Sequence, residues 1–491
     1  MKLYCSIVHV CSGALHLASV WALPAPQVSS ASNVQPDGPS GASGFLRGPS
    51  SLLGYNPSIP VPTEPSTVIP PSEFELAPGQ SENAELGLYI DLSEVENPQP
   101  IRGGTVGPTD PGPRTFAYDR LNSDLFIPPG TDAGDMTNAK WPFGLSHNRH
   151  GLAGAGWARQ QNIDELPVAT AMAGVNMRLS PNAYRELHWH KSAEWALMLN
   201  GSVRIGAVNE EGQNFVDDLT AGDVWFFPPG VPHSIQAFEN GCEFLLVFND
   251  GAFSEDETFL VSELFERNPE SVIAKNFRTS VSALKNLPTG QLWIFPGTPA
   301  PKDIQEQNVT GPAGFLPVID SYSYHLSQQV PYEVPGGSIK VIDPTTFPIA
   351  STFSAALVTV QPGGMREMHW HTTSDEWTYF LAGSGRLTVY QAPASSRTFD
   401  FTAGDVGYVP MPNAHYLENT GSVPLVFLEV LQAPKFSDIS VGQWLGLTAP
   451  QIVKDHLNVD DNFVSQLPKT KQIIMPGDKN LTQTNFSSEP L

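Results

Sequence analysis

The feature that most constrains the fold is an internal repeat. The stretch "RELHWH" at 185–190 returns as "REMHWH" at 366–371, and "TAGDVWFFPPGVPH" at 220–233 returns as "TAGDVGYVPMPNAH" at 402–415. The two copies therefore lie 181 or 182 residues apart. A repeat of this length predicts two related domains in tandem, because each copy is long enough to be one structural unit.

Each copy has the pattern of short antiparallel strands. Segments such as "GSVRIGAV" and "EFLLVF" in the first copy, and "GRLTVYQA" and "LVFLEV" in the second, are separated by Gly, Pro and Asn turns. The chain has 42 Gly and 46 Pro, and only 15% of its residues are charged, which disfavours long charged helices. The sequence predicts a mainly all-β fold with two tandem β-barrels or jelly rolls and short flanking helices.

The 491 residues divide into five predicted segments. The part rich in Pro, Ser and Gly that precedes the first copy is expected to be an extended leader, partly disordered. The predicted segments are a secretory signal (1–22), the leader (23–115), a first barrel domain with a loop at 253–259 (116–310), a second barrel domain (311–470) and a flexible tail (471–491).

The N-terminus has the pattern of a cleaved secretory signal. Lys2 precedes an apolar stretch from Leu3 to Val20, with small residues near Ala22; a membrane anchor is the weaker alternative, because the apolar run is short. Cleavage there would remove the other two cysteines and leave Cys242 alone, so no internal disulfide is expected. We expect a secreted glycoprotein, extracellular or in the cell wall. Its glycosylation sequons are Asn200, Asn308, Asn480 and Asn485.

The charge balance argues against two classes of partner. The chain has 26 Lys and Arg against 50 Asp and Glu, a formal net charge of −24 at pH 7. Nucleic acids and anionic membrane surfaces attract basic proteins, so neither is an expected partner. Beyond the N-terminus, no segment of the sequence is long and apolar enough to span a bilayer.

The histidines of each copy have the spacing of metal ligands. Side chains at positions i and i+2 of a strand share a face, so the two histidines of each "HWH" point together into the barrel. A glutamate follows four or five residues later, and a third histidine follows a Pro-rich turn. One such pair is more often chance, but the full set in both copies favours two metal sites. Three imidazoles and a carboxylate without thiolates suit Mn(II) or Fe(II), with Zn, Ni or Cu left open. The predicted ligands are His188, His190, Glu194 and His233 in the first copy, and His369, His371, Glu376 and His415 in the second.

An arginine three residues before the first ligand, Arg185 or Arg366, points to an anionic substrate. A fixed cation beside a divalent metal suits a small anion that binds the metal through one carboxylate. Strict strand alternation would turn Glu186 toward the metal instead, so Arg185 requires an irregular backbone after "SPNAY".

A polar, acidic loop, "FNDGAFSEDETF" at 248–259, follows the last strand of the first barrel. It could fold over the site as a lid and supply a proton to a carbon that has lost CO2. The alternative is a solvated loop without a catalytic role.

The repeated pattern resembles the two motifs of cupins, G(x)5HxH(x)3–4E(x)6G and G(x)5PxG(x)2H(x)3N. Asn182 replaces the first glycine in the first copy, and Asn tolerates the left-handed backbone that such a glycine can adopt. From about Leu152 to Leu467 the chain resembles the fungal, secreted, bicupin oxalate decarboxylases. The resemblance includes "RELHWH", "GDVWFFPPGVPHSIQ" and "EFLLVFNDGAFSE".

That resemblance implies a manganese enzyme. In the family, Mn(II) occupies both barrels, and dioxygen-dependent chemistry without net oxidation converts oxalate into formate and CO2. By the same resemblance, Arg185 orients oxalate, and Glu255 in the lid protonates the new C–H position. In the second copy, Arg366 matches the arginine and Glu429 matches a buried carboxylate. The family lid commonly reads Ser-Glu-Asn-Ser, whereas residues 254–257 read Ser-Glu-Asp-Glu.

Other functions share this ligand set. Oxalate oxidase would give CO2 and hydrogen peroxide, and an aromatic or flavonol dioxygenase would lack the pairing of an arginine with a lid acid. A storage bicupin commonly loses ligands in one half, whereas all eight are present here. An isomerase or epimerase explains neither the arginine nor the lid.

Two further expectations concern the site's surroundings. Trp189 and Trp370 point away from the metals, and we expect them to pack against another layer or subunit, or to relay charge between sites. A homo-oligomer is left open. Only the first copy is followed by Ser-Glu-Asp; the second is followed by the shorter "FSDIS" at 436–440, so we expect turnover in the first barrel.

Overall fold

The computed structural model describes residues 132–477, and it confirms the predicted mainly β fold with two tandem barrels. The predicted signal, the leader, the first residues of the first domain up to 131 and residues 478–491 lie outside the described residues. Sequons Asn480 and Asn485 lie outside them as well.

The first barrel is built around two long strands, β6 (Glu194–Val208) and β9 (His233–Phe248), which pair with each other along most of their length. Their pairing shifts register twice near Gly201. A Cβ on Gly201 would lie 2.1 Å from the carbonyl oxygen of Gly241, so only glycine permits this close crossing. The strands up to the linker are β1 (Lys140–Pro142), β2 (Arg149–His150), β3 (Gly156–Gln161), β4 (Ala173–Leu179), β5 (Tyr184–Trp189), β6 (Glu194–Val208), β7 (Asn214–Thr220), β8 (Val224–Phe227), β9 (His233–Phe248), β10 (Phe259–Leu260), β11 (Ile294–Phe295) and β12 (Ser323–Tyr324).

The second barrel repeats this plan with separate shorter strands that form two sheets. Its strands are β13 (Tyr332–Val334), β14 (Gly337–Ile342), β15 (Ser354–Val360), β16 (Met365–Trp370), β17 (Glu376–Ala382), β18 (Ser384–Gln391), β19 (Ser395–Thr402), β20 (Asp405–Val409), β21 (Ala414–Asn419), β22 (Leu425–Leu431), β23 (Ile439–Ser440) and β24 (Ile474–Met475). One sheet has the order β1-β20-β17-β22-β15-β14-β13, and the other contains β19-β18-β21-β16-β23, with β24 also paired to β16.

Short helices follow the last long strand of each barrel, as predicted. Two follow the first barrel and three follow the second: α1 (Val261–Glu266), α2 (Glu270–Phe277), α3 (Val441–Gly446), α4 (Pro450–Leu457) and α5 (Asp461–Gln466). Among residues 132–477, no helix has the length and apolar character needed to cross a membrane.

The two barrels exchange edge strands. β1, which precedes the first barrel, pairs with β20 of the second, and β12 of the linker pairs with β8 of the first. Lys140 of β1 lies 3.3 Å from Asp405, and both side chains are buried. Two strands therefore lie on one side of the predicted domain boundary at 310/311 but join a sheet on the other side: β1 joins the second barrel, and β12 joins the first. Residues 471–477, placed in the predicted tail, also contribute β24, in which Ile474 is buried.

Three apolar cores hold these sheets: one inside each barrel and one between them. The shared core includes Trp195 and Trp377, which follow the glutamates Glu194 and Glu376. Because alternate residues of a strand face opposite sides, each glutamate points into its barrel while the next residue packs between the barrels. Burial of these indoles thus fixes the strands that present the glutamates.

Candidate metal centres and lid

Each barrel brings its four predicted ligands together. The candidate ligand atoms of each set lie within 4.8 Å of one another, and all eight side chains are buried. In each barrel, one short strand carries the first histidine and ends one residue before the second, the next strand begins with the glutamate, and a later strand presents the third histidine. The first set is His188, His190, Glu194 and His233, and the second is His369, His371, Glu376 and His415.

Backbone carbonyl groups orient most of the imidazoles. Nδ1 of His188 lies 2.5 Å from the Glu186 carbonyl oxygen, and Nδ1 of His233 lies 2.9 Å from that of Val231. With Nδ1 donating to these oxygens, Nε2 is left as the atom that faces the centre of the barrel. The second barrel repeats this arrangement: Nδ1 atoms of His369, His371 and His415 lie 2.7, 2.8 and 3.1 Å from backbone carbonyl oxygens.

The two barrels hold their glutamates with different donors. In the first, Trp225 Nε1 donates to Glu194 Oε1 at 2.8 Å. In the second, Thr378 Oγ1 donates to Glu376 Oε1 at 2.5 Å. Trp225 pairs across the sheet with Ala196, and Thr378 pairs with Gly407 at the matching position. In the first barrel the donor thus lies on the strand opposite the glutamate, and in the second it lies on the glutamate's own strand. Both barrels keep a hydrogen bond to the glutamate.

The buried donor set fits a divalent cation. In the described part of the chain, the buried Nε2 atoms of His190, His233 and His369 and Oε2 of Glu194 have no hydrogen-bond partner. Leaving such atoms unpaired is costly, and a cation would satisfy those of each barrel at once.

The electrostatics of the first centre agree with metal binding. Burial, with the charge of Arg185, holds the pKa of His188 well below its usual range, so the imidazole is neutral. Burial alone would raise the pKa of Glu194, but His233, His190 and Trp225 lower it to about 2. Neutral imidazoles and an ionised carboxylate are the protonation states that bind a metal.

A bulge turns the first arginine inward, which confirms the irregular backbone expected after "SPNAY". The register of β5 against β9 shifts between Arg185 and His188, and the same shift occurs between Arg366 and His369. Arg185 therefore lies on the inner side, whereas Glu186 accepts backbone N–H groups from Leu292 and other residues outside the ligand cluster. Asn182 has φ +61°, as expected for a residue in the place of a glycine.

Glu255 of the acidic loop contacts the arginine of the first centre. Glu255 begins a short 3-10 turn (Glu255–Glu257), and its side chain is only 6% exposed. Its Oε2 accepts hydrogen bonds from Arg185 Nη2 and from Trp293 Nε1, both at 3.1 Å. Its backbone N–H donates to Gln160 Oε1 at 3.0 Å. A cavity of about 290 Å³ beside the lid is lined in part by Gln160, Glu255 and Asp256.

The second centre holds its arginine differently. Arg366 Nε donates to Glu429 at 3.2 Å, and Nη2 donates to Asp438 at 2.7 Å. Asp438 also contacts Lys471. Burial raises the pKa of Glu429 although Arg366 opposes this shift. Strand pairing places Leu246 at the position in the first barrel that Glu429 occupies in the second. Arg366 thus has two buried carboxylate partners, whereas Arg185 has the lid acid Glu255 at that distance.

Sequence reasoning missed Asp438 and Trp293. Asp438 occupies the position of Glu255 when "FSE" (253–255) is aligned with "FSD" (436–438), but the sequence comparison used this segment only to choose the barrel that turns over. Trp293 belongs to no recognisable sequence motif. In the second barrel its position is taken by Ile473, whose backbone N–H donates to Glu367 just as that of Trp293 donates to Glu186. The side chain of Ile473 has no N–H group to donate. The outward tryptophans are half-buried and contact exposed aromatic side chains of the same chain: Trp189 stacks on Phe259 at 5.4 Å, and Trp370 lies edge-on to Trp444 at 5.7 Å. Packing against another subunit and charge relay stay predictions.

Comparison with known proteins agrees with this geometry. Residues 146–285 and 324–465 match the Cupin family. The chain is 45% identical over 378 residues to the oxalate decarboxylase OxdC of Bacillus subtilis, covering 77% of this chain and 97% of that protein. It is 37% identical over 406 residues to an oxalate decarboxylase of Arthroderma benhamiae, covering 77% and 93%.

Solved structures give the same result. The structure of B. subtilis oxalate decarboxylase at pH 4.6 superposes with a TM-score of 0.71 at 43% identity, over 77% of this chain and 98% of that one. A second structure of the same enzyme, studied for its Mn(II) centres, gives the same TM-score and identity over 77% and 99%. By its duplicated barrels, its ligand sets and these relatives, the chain belongs to the cupin family and, within it, to the bicupin oxalate decarboxylases.

Proposed function

We propose that this protein is a manganese- and dioxygen-dependent oxalate decarboxylase that converts oxalate into formate and CO2 in its first barrel. The observation that carries the proposal is the pair formed by Arg185 and Glu255 above the first ligand cluster. Its relatives over most of the chain are oxalate decarboxylases, and one of them has Mn(II) centres. Each set of three histidines and one glutamate suits one Mn(II), so two ions are expected per chain.

The difference between the two arginines favours turnover in the first barrel. Glu255 belongs to a surface loop, so lid movement would release Arg185 to bind a substrate carboxylate. Arg366 is clamped by Glu429 on a central strand and by Asp438, both buried. An anion that binds Arg366 would have to displace buried carboxylates, which is costly.

The residues of the first barrel have separate tasks. When bound, Mn(II) with dioxygen supplies the reversible one-electron oxidation that weakens the C–C bond of oxalate. Arg185 binds a carboxylate of the substrate and holds it in one orientation. The closed lid excludes water from the reacting carbon.

Glu255 completes the reaction as the proton donor. In its protonated form it delivers the proton that becomes the C–H hydrogen of formate. Trp293 Nε1 and Arg185 aim its carboxyl group into the site, because both donate to Oε2. The balance is one hydrogen oxalate ion to one formate ion and one CO2, with no net oxidation.

We also propose that the protein is a secreted glycoprotein. The N-terminal pattern of Lys2, an apolar stretch and small residues supports secretion, and Asn200 is exposed on the first barrel. Mass spectrometry of the mature protein from culture medium tests both claims: it should begin near residue 23 and carry glycan on Asn200. An intact N-terminus in cell extract would contradict secretion.

A homo-oligomer is the proposed assembly. Helices that follow the barrels expose large apolar side chains, among them Val272 and Phe277 of α2 and Trp444 of α3, each more than half exposed. Light scattering of the purified protein should give a multiple of the chain mass, and a monomer at micromolar concentration would contradict this assembly.

The products test the proposed reaction. Purified protein is incubated with oxalate at acidic pH under air, with metal analysis of the same sample. We expect formate and CO2 in equal amounts, little peroxide and two Mn per chain. Peroxide with CO2 and no formate would instead identify an oxalate oxidase.

A further inference from the structure

We propose that Arg149 is a positioning residue for this reaction: it latches the closed lid through Asp256 and fixes the indole that aims Glu255. The inference rests on the proton-donor role proposed for Glu255. It also assigns a task to Asp256, one of the two carboxylates that distinguish this lid from the Ser-Glu-Asn-Ser sequence.

Arg149 contacts both the lid and the loop beneath it. Its Nη1 lies 2.9 Å from Asp256 Oδ1 and donates to the backbone carbonyl oxygen of Glu255 at 3.4 Å. Its Nη2 donates to Gln291 Oε1 at 2.6 Å. The guanidinium carbon lies 4.0 Å from the centre of the Trp293 ring. One side chain therefore ties the lid backbone, a lid carboxylate and the indole into a single unit.

The stacked indole is the one that orients the proton donor. Trp293 Nε1 donates to Glu255 Oε2, and the Trp293 backbone N–H donates to the buried carboxylate of Glu186 at 2.7 Å. Glu186 fixes the backbone of Trp293, and the guanidinium of Arg149 covers one face of its ring. Movement of that ring would displace the hydrogen bond that points the Glu255 carboxyl group into the site.

The exposure of the pair suits a contact that breaks in every turnover. Arg149 is 26% exposed and Asp256 is 80% exposed, so their ion pair is worth little and opens readily. Stacking on Trp293 and the bond to Gln291 keep Arg149 in place after Asp256 leaves. Arg149 is thus pre-organised for the lid to close again.

The neighbouring lid carboxylate provides a matched control. Glu257 lies 3.6 Å from Lys191, and both side chains are more than 60% exposed. Neither contacts Trp293 or Glu255 through a hydrogen bond, ion pair or ring contact among those found in the described residues. Glu257→Gln removes the same charge from the same turn as Asp256→Asn, but it leaves the latch intact.

Hydrogen exchange of the lid in the full-length, manganese-loaded protein tests the latch. We measure amide exchange in a peptide that covers 252–260 for wild type and for the variants Asp256→Asn, Arg149→Ala, Arg149→Lys and Glu257→Gln. Loss of an exposed ion pair should speed lid exchange about two- to fivefold in Asp256→Asn. Arg149→Ala should speed it further, because it also loses the stacking. Arg149→Lys should fall between wild type and Arg149→Ala. Glu257→Gln loses only the longer, 3.6 Å contact with the exposed Lys191, so it should speed exchange less than Asp256→Asn does.

Salt and product ratios complete the test. High salt should speed lid exchange more in wild type than in Asp256→Asn, because it screens the Arg149–Asp256 ion pair that this variant lacks. With Mn content unchanged, the ratio of formate to peroxide should fall in Asp256→Asn and Arg149→Ala. Unchanged lid exchange in Asp256→Asn and Arg149→Ala would overturn the latch, and faster exchange with an unchanged ratio would overturn the positioning role. The exchange result does not depend on whether Glu255 is the donor; the product ratio does, and Glu255→Gln tests that role separately. If Arg149→Ala loses its metal, Asp256→Asn and the salt series decide.

Discussion

Replacing Trp225 with phenylalanine should weaken the first metal centre and leave the second intact. Trp225 Nε1 donates to Glu194 Oε1 at 2.8 Å, and both side chains are fully buried. Phenylalanine has no donor, so this oxygen of a charged group would lose its partner where water does not reach. The second centre would be unaffected, because Thr378 orients Glu376 there.

The expected magnitude follows from this one hydrogen bond. A hydrogen bond to a charged group contributes about 1.5–3 kcal/mol. At about 1.4 kcal/mol per tenfold change, that is roughly a 10- to 100-fold loss of metal affinity. Loss of a residue that orients a metal ligand costs about the same, 10- to 100-fold.

Metal counting after dialysis against a competing chelator measures the effect. Wild type should keep two Mn per chain at a chelator concentration where Trp225→Phe keeps about one. Trp141→Phe is the control, because it removes an indole that packs against the core between the barrels but donates to Ser146 and not to a metal ligand. Adding Ala196→Thr to Trp225→Phe recreates the hydroxyl donor of the second centre and should restore metal. Equal retention by wild type and Trp225→Phe would refute the role given to Trp225.

Three further predictions concern the substrate arginine, the buried charges and the exchanged strand. Arg185→Lys should raise KM for oxalate and lower kcat/KM, because lysine cannot make the paired contacts of a guanidinium; an unchanged kcat/KM would count against substrate binding there. Burial raises the pKa of Glu243 above its value in the unfolded chain, although a hydrogen bond from Asn176 works against this shift. The stability that Glu243 contributes is therefore complete at a pH below its unfolded pKa, and it is lost as the pH rises through its folded pKa. Glu243→Gln should therefore gain in Tm relative to wild type as the pH rises from about 4 to about 7, and a constant difference would contradict this linkage. Lys140→Met should destabilise the protein by about 3–5 kcal/mol in denaturant unfolding, since it leaves Asp405 buried and unpaired; a loss below about 1 kcal/mol would mean that the pair contributes little.

The ligands were predictable because their geometry is local and occurs twice. His188 and His190 share a strand face at a spacing of two, and the second copy removed the alternative of a chance pair. The inward turn of Arg185 was harder to predict, since it depends on a bulge in the strand. The sequence indicated only that regular alternation would place Glu186 there instead.

The residues that sequence reasoning missed depend on distant pairings. Trp293 reaches the site because β11 pairs with β5, more than 100 residues earlier in the chain, and no local pattern reports that contact. The strand exchange was hidden for a similar reason. β1 and β12 are only three and two residues long, and such short segments carry no measurable periodicity.

The roles assigned to the ligands, the two arginines, Glu255 and Glu429 stay predictions until variants are measured.

The most direct measurement of the central claim is the formate yield of Glu255→Gln. The amide keeps the size of the side chain and still accepts a hydrogen bond from Arg185 or Trp293, but it has no acidic proton to deliver. With two Mn per chain confirmed, the account predicts that formate production from oxalate falls by about 100-fold or more, within the usual contribution of a general acid. Formate output equal to that of wild type, at the same metal content, would contradict it.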